Sequence, residues 1–185
     1  MTEYFTEAFV INKKANNESD GLVVLYTKDL GRVTAKAKSI RKITSKLNGH
    51  LEPLNFVGCR LIEKHGFQIF DALTLSNNSH LKKEALVYGQ SLKLLQFIDA
   101  MTFDLQSDVR FYAAIKKVFE HFIAYKDNQK IIYSHLLSIL GFDPKFALCA
   151  ACQNNEINFF QIDNYIFLCG KCSLKNQKDE LILIK

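Results

Sequence analysis

Four cysteines are spaced so that they can hold one ion. Cys149-Ala-Ala-Cys152 and Cys169-Gly-Lys-Cys172 are separated by residues 153–168, a C-x2-C-x16-C-x2-C pattern within the range of structural zinc sites. Each pair turns two thiolates toward a common point, and four sulfurs at about 2.3 Å complete a tetrahedron around Zn²⁺. A closed four-sulfur shell leaves no position for water, so such a metal is structural rather than catalytic. Two other chemistries use clustered cysteines. A redox dithiol needs only one pair, near a βαβ pattern, and an iron–sulfur cluster would colour the protein. The fifth cysteine, Cys59, stands alone among apolar neighbours and reads as a buried thiol. An odd count with two tight pairs does not resemble a secreted disulfide framework.

The second chemically distinctive stretch is Lys28–Lys46, KDLGRVTAKAKSIRKITSK. It holds Lys28, Arg32, Lys36, Lys38, Arg41, Lys42 and Lys46 against Asp29, seven minus one, or +6, in a chain whose formal charge is +5. The other residues therefore net −1, and the positive charge is concentrated. Its first half alternates, with Val33, Ala35 and Ala37 on one side of a period-two strand and Arg32, Thr34, Lys36 and Lys38 on the other. A strand with a small apolar inner face and a cationic outer face suits a phosphate backbone. The plainer alternative is a solvated strand that keeps the protein soluble. Metallation would add −4 from thiolates and +2 from zinc, turning +5 into +3, with Lys171 and Lys175 offsetting the local negative charge.

These residues need elements to position them. Hydrophobic residues make up 48% of 185, with 15 Phe, 8 Gly and 2 Pro; that composition supports a core and argues against disorder or low complexity. No apolar run is long enough to span a bilayer. The start, MTEYFTEAF, lacks the basic-then-apolar layout of a signal peptide, so a soluble intracellular protein is expected. Residues 1–76 read as β. Tyr4–Lys14, Leu22–Thr27, the basic strand, Leu51–Glu63 and Phe67–Leu75 are expected strands, with turns at residues 16–21, 29–31 and 64–66 and a basic loop or short helix at Ser39–Asn48. Five short strands in under 80 residues suggest a small antiparallel barrel. At residues 76–79 the period changes. Helices are expected from Leu81, with Ser79 as N-cap and Ala85, Tyr88, Leu92 and Leu95 on the buried face; over Asp108–Tyr125, striped by Tyr112, Ile115, Phe119 and Phe122; and over Gln129–Leu140, striped by Ile132, Leu136 and Ile139. Gly141 is expected to be left-handed after the last helix, with Pro144 following. Ile157–Ile162 and Tyr165–Leu168 around Asp163-Asn164 read as a hairpin supporting the cysteines.

The order of basic barrel, helices and four-cysteine ribbon resembles the bacterial RecO family of recombination mediators. The resemblance is carried by Glu18-Ser19-Asp20 before Leu22-Val23, by Leu30-Gly31-Arg32-Val33 before Ala35-Lys36-Ala37, by Leu47-Asn48-Gly49-His50-Leu51-Glu52-Pro53, and by Leu136–Leu140 with Gly141-Phe142-Asp143-Pro144 ahead of Cys149. It covers most of residues 8–172. It implies an α+β fold: a five-stranded OB-fold nucleic-acid-binding domain at 1–77, then a helical domain at 78–185 with a zinc ribbon at 149–172. It implies a non-enzymatic, cytoplasmic, nucleoid-associated DNA repair protein that binds single- and double-stranded DNA and anneals complementary strands. With RecR, such a protein helps load RecA onto strands coated by single-stranded-DNA-binding protein. RecO-like chains continue past the ribbon as further helix, whereas this sequence reaches Lys185 soon after Asp179-Glu180-Leu181-Ile182-Leu183-Ile184.

On that reading Arg32, Lys36, Lys38, Arg41, Lys42 and Lys46 contact phosphates, and Cys149, Cys152, Cys169 and Cys172 hold one structural zinc. Tyr26, Phe67 and Phe70 are stacking candidates that read better as core. Three rivals stand beside it. Against an enzyme, the chain lacks a phosphate-cradling GxxxxGK[ST] loop and a GxGxxG turn, and its histidines are scattered; Asp99, Asp104 and Asp108 read as caps and turn formers rather than a nuclease cluster. A protein adaptor would use the basic strip only for solubility. An RNA binder is not separable from a DNA binder by phosphate contacts alone.

Overall fold

The computed structural model describes residues 1–176 and 181–185; Asp179 and Glu180, singled out after the ribbon, lie outside the described residues. The chain forms two compact units, residues 1–112 and 113–185.

The first unit is built on five strands: β1 (Thr2–Ala15), β2 (Gly21–Thr27), β3 (Gly31–Ala37), β4 (Phe56–Glu63) and β5 (Phe67–Ser76), with a one-turn helix α1 (Leu47–His50) between β3 and β4. They close in the order β1-β2-β3-β5-β4, the five-stranded barrel expected of an OB-fold. Its pairs are antiparallel except one: β3 runs parallel to β5, with Ala35 opposite Phe67 and Ala37 opposite Ile69. The expected wholly antiparallel barrel is corrected there, because closure brings the third strand beside the fifth instead of the fourth. Leu51, expected to open the fourth strand, caps α1, and that strand begins at Phe56.

The barrel interior is filled by Ala8, Val10, Val23, Leu25, Val33, Ala35, Ala37, Val57, Leu61, Ile69 and Ala72. Small alanines fit where five strands curve tightly together. The period-two reading of β3 is borne out: Val33, Ala35 and Ala37 are buried, while Thr34 is exposed. Register shifts at Val10/Asn12 and Arg60/Leu61 supply the bends that closure needs. Gly31 starts β3 at φ +72°, where an added Cβ would lie 2.1 Å from the Gln106 carbonyl oxygen. Only glycine tolerates both the left-handed backbone and this approach.

Beyond β5 the helical reading holds in kind and shifts in detail. Ser79 opens a 3-10 turn, Ser79–Lys82, and α2 (Ala85–Met101) starts after Glu84, so Ser79 is not its N-cap. The buried face of α2 is Val87, Ser91, Leu94, Leu95, Ile98 and Met101; Ala85 and Tyr88 face water. Both faces of this helix carry apolar residues, so periodicity alone placed Leu95 correctly and Leu92 half so, but misplaced Ala85 and Tyr88. In α3 (Val109–Glu120) the expected stripe is correct: Tyr112, Ile115 and Phe119 are buried, as is Phe122 in the 3-10 turn that follows. Asp108 caps it, its carboxylate accepting from the amides of Arg110 at 2.8 Å and Phe111 at 3.2 Å.

In the second unit α4 (Gln129–Ile139) buries Ile132, Leu136 and Leu137. Gly141 is left-handed, φ +92°, and the Phe142 amide donates to the Leu137 carbonyl at 2.9 Å, closing the helix as Gly141 suggested. The hairpin is present but short: β6 (Phe159–Gln161) pairs with β7 (Ile166–Leu168), and α5 (Gly170–Ser173) follows. A further strand the sequence did not suggest, β8 (Leu181–Leu183), pairs with the other edge of β6. Phe160 is buried at the centre, with Phe167 and Phe142 edge-on at 5.0 and 5.5 Å. No helix among the described residues is long and apolar enough to cross a membrane.

Candidate nucleic-acid interface and metal centre

The six cations expected to contact phosphates fall into two groups. Arg32 and Lys36 project from the outer side of β3 and are taken up by carboxylates. Arg32 donates through Nε to Asp99 at 2.7 Å and pairs through its other nitrogen with Asp104. The backbone reinforces this: the Leu105 amide donates to the Arg32 carbonyl at 3.0 Å. Burial works against the Arg32 charge, and the two carboxylates outweigh it and raise its pKa. Lys36 Nζ lies 2.9 Å from Asp20. The Ser39 amide, then Lys36 and Asn17, hold the Asp20 carboxyl far below the ordinary range, so the pair stays ionised.

The other four are presented by the segment between β3 and α1. Lys38, Arg41, Lys42 and Lys46 are exposed. Arg41 is anchored, its amide donating to the Ser19 carbonyl at 3.0 Å and its guanidinium to the Asn17 carbonyl at 2.6 Å, which ties this segment to the β1–β2 turn. Lys38, Lys42 and Lys46 make no ion pair among the described residues. A cation already matched to a carboxylate has less left for a phosphate; an unpaired, exposed one keeps its full charge for a polyanion. Asp99 and Asp104, expected as cap and turn former, are the partners of Arg32. No local signal marks this, because 67 and 72 residues separate each pair.

Of the stacking candidates, Tyr26 is buried against Phe111, 5.6 Å edge-on, and burial pushes its hydroxyl up to about 12. Phe67 packs on the barrel core. Phe70 departs from the core reading: it is 55% exposed, with the Arg60 guanidinium 4.5 Å from its ring centroid. Its strand is irregular there, Asp71 facing Arg60 and Ile69 facing Leu61, and the extra residue turns Phe70 outward. Cys59 is buried as expected, its Sγ 3.4 Å from the Thr6 carbonyl oxygen, and burial lifts its thiol to about 12.

The four remaining cysteines converge. Their sulfurs all lie within 4.8 Å of one another, and Cys152 Sγ is 3.7 Å from Cys169 Sγ. A tetrahedron with metal–sulfur arms of 2.3 Å has edges of about 3.8 Å, so the donor set fits a zinc-sized thiophilic ion. Backbone positions prepare it. The Ala150 amide donates to the Phe167 carbonyl at 2.9 Å, joining the first knuckle to β7, and the Gly170 amide donates to Asn158 Oδ1 at 3.1 Å, holding the second. Burial opposes the Cys149 thiolate, but surrounding amides bring its pKa down to about 6. Hydrogen bonds from Cys169 and Cys152 push Cys172 up to about 12. Four thiols this close share protons until a cation replaces them.

Comparison with known proteins is consistent with this architecture. Residues 1–78 match the family model "Recombination protein O N terminal". The chain is 27% identical over 175 residues to DNA repair protein RecO of Thermodesulfovibrio yellowstonii, covering 92% of this chain and 70% of that protein. It is 26% identical over 183 residues to the RecO of Dehalococcoides mccartyi, with the same coverage. To that of Geobacter sulfurreducens it is 25% identical over 150 residues, 79% of this chain and 62% of the relative. The resemblance read from the sequence is thus borne out: residues 1–78 match the N-terminal model of recombination protein O, and the chain over most of its length is similar to proteins named DNA repair protein RecO.

Proposed function

We propose that this chain is a non-enzymatic DNA repair and recombination mediator. On this reading it binds single- and double-stranded DNA, anneals complementary strands and, with RecR, assists RecA loading onto DNA coated by single-stranded-DNA-binding protein, in the nucleoid-bearing cytoplasm. The observation that carries the reading is the set Lys38, Arg41, Lys42 and Lys46, exposed together on one segment of a closed barrel. Residues 1–77 act as the nucleic-acid-binding domain and residues 78–185 as the helical domain bearing the ribbon. Cations on a rigid scaffold grip phosphates without occupying base edges, so a held strand still pairs. Arg32 and Lys36 serve mainly to brace β3, each being matched to carboxylates. Zinc held by Cys149, Cys152, Cys169 and Cys172 supplies folding energy rather than chemistry.

Salt dependence of binding to a short single strand tests the assignment. Four phosphate contacts give a log–log slope of about −3, and six would give about −4. Replacing Lys38, Arg41, Lys42 and Lys46 by Ala brings the slope toward zero and stops the acceleration of strand annealing. Arg32→Ala leaves the slope unchanged. Unaltered binding in the fourfold variant rejects the assigned face, and competition between RNA and DNA of one sequence separates a repair factor from an RNA binder.

A further inference from the structure

The barrel has a second exposed feature, on the outer face of β1, β4 and β5. Phe5, Phe70, Leu73 and Leu75 stand in water there, Phe5 at 73% exposure. Arg60, opposite Phe5 on β1 and Asp71 on β5, sets its guanidinium 5.5 Å from the Phe5 ring centroid and 4.5 Å from that of Phe70. The two rings share one guanidinium, and Phe5 lines a groove of about 600 Å³. Gly58 contributes no side chain to that groove, and Leu75 lies 3.9 Å from where its Cβ would be. The surrounding charges are Glu3, Glu7, Asp29 and Asp71 against Lys28 and Arg60, with Glu3 already paired to Arg60. On a chain of net charge +5, this is an acidic, apolar surface. It disfavours phosphate and favours an apolar side chain flanked by cations.

A segment of that chemistry lies in the same sequence. Lys38–Lys46 holds Lys38, Arg41, Lys42 and Lys46 with no acid, and in its middle Ile43 is wholly exposed. The turn around Ile43 is shaped, with the Lys42 amide donating to the Ser39 carbonyl at 3.1 Å and the Ser45 amide to the Lys42 carbonyl at 2.9 Å. A β-branched side chain displayed this way makes no packing contribution within its own chain. None of residues 38–46 lines the groove. We propose that the protein self-associates, the Ile43 segment of one copy seating in the β1–β4–β5 groove of a second copy. Ile43 enters among Phe5, Leu73 and Leu75, and the flanking cations face Asp71 and Glu7. Knob and groove are different patches, so the contact is heterologous, or is exchanged twice about a twofold axis. The association uses the same cations as the nucleic-acid reading but does not depend on that reading.

Sedimentation velocity of the full chain, without nucleic acid and over a range of protein and salt concentrations, tests this. The average mass should rise with protein concentration at low salt and fall as salt is added. Ile43→Asp and Leu73→Asp each weaken association by about tenfold or more; both side chains are exposed, so the fold is retained. Mixing the two variants restores association, since one keeps its groove and the other its knob. Leu86→Asp, on an equally exposed position of α2, leaves it unchanged. A wild-type chain that stays monomeric at low salt overturns the proposal. So does an Ile43→Asp chain that associates as tightly as wild type, or a Leu86→Asp chain weakened as much as the other two.

Discussion

The barrel and the cysteine ribbon reach definite shapes by different means. The barrel closes on itself, and its interior is a continuous set of buried Ala, Val, Leu and Ile from all five strands. The ribbon has strands of three residues each, and two of its four cysteines, Cys152 and Cys172, are not buried. Strands that short bury too little to offset the entropy of ordering them. The barrel is therefore held by the removal of apolar surface from water, whereas the ribbon has four sulfurs placed where they could hold an ion. The difference predicts one region whose stability is intrinsic and another whose stability depends on a bound metal.

The largest expected effect comes from removing that ion. In small zinc modules metal binding supplies on the order of 10 kcal/mol of folding energy. A strong chelator, or Cys149→Ser with Cys152→Ser, should abolish amide-exchange protection across residues 149–172 and leave protection in β1–β5. Equal loss of protection in the barrel would break the comparison. Next is a cavity in the barrel. Leu61 is fully buried, and Leu61→Ala should cost about 2–5 kcal/mol in urea unfolding while metal stoichiometry stays at one ion per chain.

Smaller effects sharpen the barrel side. Arg32→Ala leaves Asp99 and Asp104 facing each other without their cation; the cost should be about 1 kcal/mol, given that the pair is partly exposed. Double-mutant cycles with Asp99→Ala would detect the coupling. The smallest effect is at the head of α3. Burial pulls the Asp108 carboxyl upward, but the amides of Phe111 and Arg110 outweigh it and hold its pKa below the ordinary value. The stabilisation is then complete above pH of about 4 and is lost as pH falls through the lowered value. Asp108→Ala should cost about 1 kcal/mol at neutral pH and remove this part of the acid sensitivity.

Legibility followed the range of the interactions involved. The cysteine site could be read because metal geometry constrains residues three apart in each knuckle. The buried side of β3 could be read because alternation is local. The outward turn of Phe70 could not, since it comes from a register shift between β4 and β5. The face of α2 was read only in part, Leu95 rightly and Tyr88 wrongly, because apolar residues occur on both of its sides and only packing selects Val87, Leu94 and Ile98.

By itself the sequence determined where cations and thiols are concentrated and which segments are strand or helix, since these depend on residue type and short spacing. Tertiary structure alone decided which cations are free to act. Asp99 and Asp104 reach Arg32 only after the chain has closed, and Asp20 reaches Lys36 once β2 pairs with β3; a charge beside its opposite has less attraction left for a phosphate.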